Sequence, residues 1–62
     1  MGHSADYQTE LYSQQLERLV RILSDQGENL LGVGLKELAS SAFEQAERLK
    51  LVNIHLKNMM AR

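Results

Sequence analysis

Two histidines, His3 and His55, two adjacent serines, Ser40 and Ser41, a Gly32-Val33-Gly34 triplet and a scatter of carboxylates are the residues of this chain that could do chemistry. Each lacks the company its chemistry needs. A metal held on one helix face takes a second imidazole or a carboxylate three or four residues from the first. Around His55 those positions are Leu51, Val52, Asn58 and Met59, so the histidine reads as a surface or interface residue. Ser40 and Ser41 have no nucleophile-elbow context and read as small residues on a packed helix. The glycine triplet is without the third glycine and preceding strand of a dinucleotide loop, and without the lysine of a phosphate loop. The acids recur at helix-surface spacing, as a solvated face does, and not as an acid–base pair. With no cysteine, disulfides and thiolate metal sites are excluded. The expectation is a protein that is not an enzyme and has no cofactor and no metal.

What remains is apolar patterning, and it is strongest in residues 49–60. Leu49, Leu51, Val52, Ile54, Leu56, Met59 and Met60 fall within twelve positions. Wound as a helix, Leu49, Val52, Leu56 and Met59 form one stripe, and Leu51 and Ile54 point elsewhere. A helix with one neighbour needs one apolar stripe, so the seven residues are expected to form an interface. The whole chain has 62 residues, too few to bury a large core, and small domains usually need a disulfide, a metal or association. Association is the remedy this composition leaves.

The elements expected to position that surface are helical. There is no proline, and Leu, Glu, Gln, Lys, Arg and Ala are abundant, all good helix formers. Residues 1–5 read as a disordered or tag-like N-terminus. A first helix is expected over about 6–26, capped by Ser4 or Asp6, with Tyr12, Leu16, Leu19, Val20 and Leu23 on its apolar face, Leu11 and Ile22 widening it, and a Glu17–Arg21 pair on its flank. Gly27 suits a left-handed helix cap. A connection over about 27–34 follows, unless Asn29 caps an earlier start; a helix running unbroken through Gly27 is the least favoured option. The second helix is expected over about 35–61. One of its seams holds Leu35, Ala42, Leu49 and Leu56, and the other Leu38, Gln45, Val52 and Met59, with Ala39 and Ala46 beside them. Residues 52–57 also alternate with the strand period, which would suit addition to a sheet edge on a partner. The fold class is therefore all-α: an antiparallel two-helix hairpin, assembling as a dimeric four-helix bundle or an intertwined helical dimer. A first helix of about 30 Å beside a second of about 40–50 Å would leave the C-terminal end overhanging, with its apolar residues exposed.

Charge adds an alternative. The net charge is −1, but residues 48–62 carry Arg48, Lys50, Lys57 and Arg62 and no acid. Cations suit a helix C-terminus; the same four residues are the candidate nucleic-acid contacts if this tip is a binding surface. In length and hairpin pattern the chain resembles small four-helix RNA-binding dimers of the plasmid Rop type. That resemblance is architectural and implies a dimer that binds RNA, whereas an overall charge near zero argues against strong phosphate binding. A helix-turn-helix over Leu35 to Leu51 is disfavoured because no turn glycine interrupts the register. No apolar run approaches a membrane span and no secretory signal is visible, so no membrane partner is expected and the default location is cytoplasmic. The functional expectation is a helical protein–protein interaction module that self-associates through its C-terminal helix and acts as a regulator or adaptor on another protein; the alternative is a small dimeric nucleic-acid-binding regulator.

Overall fold

A computed structural model describes the backbone of residues 2–60 and the side chains of residues 7–59. It is all-helical. Helix α1 spans Gly2–Gly32 and helix α2 spans Lys36–Met60, and the two pack against each other as an antiparallel hairpin 51 Å long and 15 Å wide.

The turn is shorter and later than the glycine pattern suggests. Gly34 has φ +85°, and its N–H donates to the carbonyl of Leu31 at 3.0 Å. The N–H of Leu35 donates to the carbonyl of Leu30 at 2.9 Å. These two bonds, a five-to-two and a six-to-one, are a Schellman ending. Gly34 is the glycine it requires, because a side chain in the left-handed region is strained. Leu35 then offers its carbonyl to the N–H of Ala39 at 3.0 Å, which starts α2. Gly27 is thus not a cap. It lies buried inside α1, and a Cβ built there would stand 2.5 Å from the Phe43 ring. The glycine serves close helix approach, and α1 passes through it without a break, the option ranked last from sequence. Asn29 is likewise inside α1 and caps nothing. Gly2 to Ala5, expected to precede the helix, are within it.

Both helices show burial at alternating three- and four-residue spacing. On α1 the shielded positions include Ser13, Leu16, Val20, Leu23, Gly27 and Leu30; on α2 they are Ala39, Ala42, Ala46, Leu49, Asn53 and Leu56, with Phe43 beside them. This is the seam of an antiparallel coiled coil. The register differs from expectation on both helices. Ser13 stands where an apolar residue was expected, and Tyr12 and Leu19 are displaced to the flank. On α2 the expected seam of Leu38, Val52 and Met59 is solvent-facing, and Ala39, Ala46 and Asn53 take its place. The small residues win because they let the backbones come close, and because Asn53 finds a partner in Ser13.

The overhang argument is overturned. Helix α1 has 31 residues and α2 has 25, so α1 is the longer by about 9 Å. The C-terminal half of α2 lies alongside the first half of α1, with Asn53 against Ser13 and Lys57 against Glu17. The strand reading of residues 52–57 fails for the same reason: they are helical and spanned by the partner helix. So does the helix-turn-helix, since α2 runs unbroken.

Two substitutions test these assignments. Gly34→Ala should cost about 1–2 kcal/mol through left-handed strain, a fall of several degrees in thermal midpoint for a domain of this size. Gly27→Ala should gain about 1 kcal/mol of helix propensity in a Phe43→Ala background and fall well short of that gain with Phe43 in place; urea titrations of the four proteins measure the coupling.

Candidate interaction surface

The two flanks of the hairpin differ in chemistry. On one, charged residues of α1 and α2 meet across the seam. The Lys57 ammonium donates to the Glu17 carboxylate at 2.9 Å, and within α2 Lys50 donates to Glu47 at 3.1 Å. Between the helices on this flank is an open groove of about 370 Å³, lined by Glu17, Val20, Arg21, Lys50, Asn53 and Ile54. The Arg21 expected to pair with Glu17 along the helix contributes a lesser attraction.

Below the groove the polarity continues inward. The Ser13 hydroxyl donates to the Asn53 side-chain carbonyl at 2.6 Å, and both residues are buried. Asn53 and Glu17 line the same groove. Two polar pairs, Ser13–Asn53 in the seam and Glu17–Lys57 at the surface, therefore lie side by side. No buried side-chain polar atom among the described residues is left without a partner. The Lys57 hydrogen bond, then its charge, hold the Glu17 carboxyl below its ordinary range, with partial burial opposing and Asn53 and Arg21 assisting.

The opposite flank carries no such network. Tyr12 and Leu19 on α1, and Leu38, Val52 and Met59 on α2, are all at least 46% exposed. They occupy the positions next to the seam on the side away from Glu17 and Lys57.

The seven residues expected to form an interface are thus divided. Leu49 and Leu56 are half-buried against α1. Leu51, Val52, Ile54 and Met59 are exposed, at 52% or more, but not as one patch. Val52 and Met59 lie on the uncharged flank, Ile54 faces the groove on the charged one, and Leu51 looks outward between them. The side chain of Met60 lies outside the described residues. Of the four candidate nucleic-acid contacts, Lys50 and Lys57 are engaged by Glu47 and Glu17, Arg48 is exposed, and Arg62 is outside the described residues. Reading the sequence missed the α1 contribution, Tyr12 and Leu19, because these were placed in the seam. The signal that would have found it is the run of small residues Ala39, Ala42 and Ala46, which marks the true seam.

Among the described residues no cluster of three His, Cys, Asp or Glu side chains could hold a metal. No described helix is long and apolar enough to cross a membrane. Comparison with protein-family models, with curated proteins and with solved structures found no match, so the surface itself carries the functional argument.

The Glu17 shift gives a direct test. A carboxyl depressed in the folded state adds stability above its unfolded pKa, and that contribution is lost as pH falls through the lowered folded value. Carbon-detected NMR titration should place Glu17 below the ordinary glutamate value, and Lys57→Ala should move its midpoint upward. An unchanged midpoint in the variant would mean that the ion pair does not persist in solution.

Proposed function

We propose that this chain is a non-enzymatic helical protein–protein interaction module. It self-associates through exposed apolar residues of its C-terminal helix and acts as a small regulator or adaptor. The observation that carries this reading is the exposure of Leu51, Val52, Ile54 and Met59 along one helix. Exposed apolar residues are ordinary singly, but Val52 and Met59 adjoin Leu38, Tyr12 and Leu19 on the uncharged flank, and a contiguous set on a small protein marks an interaction surface. Methionine in such a surface adapts to irregular partners. The hairpin's own seam supports the need for association. Its buried apolar residues are Leu16 and the three alanines Ala39, Ala42 and Ala46, and no large side chain is fully buried among the described residues. A dimeric four-helix bundle would supply the missing burial.

The nucleic-acid alternative draws on Arg48, Lys50, Lys57 and Arg62. Internal pairing of Lys50 and Lys57 weakens it, since phosphate affinity comes from cations free to displace counterions.

Sedimentation equilibrium of the full chain discriminates the two. The interaction reading expects a mass that is a multiple of 7.0 kDa and persists at 0.5 M salt, and a triple variant, Leu51→Asp, Ile54→Asp and Met59→Asp, that remains helical but associates less. A monomeric wild-type chain, together with RNA affinity that collapses as salt is added, would replace this reading with the alternative.

A further inference from the structure

The two helices leave the same flank unpartnered, and its composition is ordered along the hairpin. Positions adjoining the seam on this side recur every seven residues. On α1 they are Tyr12, Leu19 and Gln26, continued by Val33 in the turn; on α2 they are Leu38, Gln45, Val52 and Met59. All eight are exposed. None is charged, whereas the equivalent positions on the other flank include Glu10, Glu17, Lys36, Lys50 and Lys57. Antiparallel packing sets the two rows side by side in opposite directions. They therefore match level by level: Tyr12 beside Met59, Leu19 beside Val52, Gln26 beside Gln45, and Val33 beside Leu38. Three apolar levels enclose a single level of carboxamides.

We infer that this uncharged flank receives a second copy of the chain, with both turns at the same end of a four-helix bundle. This deepens the self-association proposed above and rests on it, but it moves the contact from the C-terminal helix alone to a face that α1 and α2 build together. Three observations select a second copy as the occupant. The face runs about 32 Å along the hairpin, from Tyr12 to Val33, and spans both helices, so a second hairpin can lie along it. It offers no charge with which to recognise a charged partner, and Arg48, one position further out on α2, suits a polar rim. Finally, the glutamine level fixes the alignment. A twofold axis along the helices sets Gln26 against the Gln45 side chain of the second copy, where each amide finds both a donor and an acceptor. Leu19 then meets Val52 and Tyr12 meets Met59, apolar on apolar. A twofold axis across the helices would, at full overlap, bury those amides against Leu19 and Val52, where they lack partners and cost free energy, and, shifted to the glutamine level, would leave Tyr12 and Met59 uncovered. Like level on like level is thus the arrangement that satisfies the face. Ile54 and the charged groove remain on the outside of such a dimer, open to another protein.

The test combines mass with a distance. Full-length chain should sediment as a dimer, twice 7.0 kDa. Leu19→Glu, on the helix that the C-terminal reading does not involve, should raise the dimer dissociation constant about thirtyfold or more, as loss of a central contact does, with helical circular dichroism retained. Ser40→Asp, an exposed position on the charged flank, should leave the dimer intact. Spin labels at Lys36→Cys, beside the turn, should lie well within the 51 Å hairpin length across the dimer. A separation near that length would put the turns at opposite ends and overturn the alignment, including in the event that Leu19→Glu fails to fold. A dimer indifferent to Leu19→Glu but broken by the Leu51, Ile54 and Met59 triple variant would overturn this face while leaving self-association standing. A wild-type monomer at all concentrations would end both.

Discussion

The closeness of the two helices governs the rest of this molecule. Gly27, Ala39, Ala42 and Ala46 line the seam together with Ser13, and the ring of Phe43 sits where a Cβ on Gly27 would be. Helix separation follows the size of the side chains between the axes, so a seam of small residues draws the backbones together. Close approach has a cost in apolar burial: an alanine hides far less area than a leucine. The large residues are consequently displaced to the flanks, where one neighbouring helix cannot cover them. The exposed Tyr12, Leu19, Leu38 and Val52 are therefore the counterpart of the narrow seam, and not a separate feature grafted onto it.

The seam also contains a polar contact that selects its register. A hydroxyl and a carboxamide buried together are tolerable when they satisfy each other and costly, by about 1–3 kcal/mol, when slippage separates them. Ser13 donating to Asn53 ties one point of α1 to one point of α2. The Glu17–Lys57 pair sits at the same end and agrees with it, though an exposed ion pair adds little on its own. At the other end Gly34 sets where the chain reverses. A turn and one buried pair, far apart along the hairpin, leave little freedom for the helices to slide. Because the register is held, the two rows on the uncharged flank stay level with each other.

Much of the fold was legible in the residues, and the errors have one origin. The all-helical class, two helices and the antiparallel hairpin followed from composition and period. Leu16, Val20 and Leu23, and Ala42, Leu49 and Leu56, were placed on faces that the structure shields. The breaks came from treating size as a guide to burial. Gly27 suits a cap by its residue type, yet it lies inside α1 against the Phe43 ring. Ala39 and Ala46 were set beside the seam and Leu38 and Val52 within it, when the reverse holds. Periodicity locates a stripe to within one position, and in a coiled coil neighbouring stripes differ by a single residue. Which stripe faces inward depends on the partner helix, and that partner could not be read until Gly27 was matched to Phe43.

The same displacement clarifies the C-terminal helix. Its apolar residues were read as one patch beyond the reach of α1, and they are three surfaces. Leu49 and Leu56 contribute to the hairpin, Val52 and Met59 extend a face shared with α1, and Ile54 stands over a groove bounded by Glu17, Arg21 and Lys50. A helix that is apolar all round is normally surrounded. Here the surrounding differs by side: one face meets its own α1, another matches a long uncharged strip, and the third mixes an apolar floor with charge. Burial on the first side fixes the fold, and the uncharged strip is exposed. The mixed groove is charged at its margins by Glu17, Arg21 and Lys50. One helix thus presents three chemically distinct surfaces, set by the angle at which each residue leaves it.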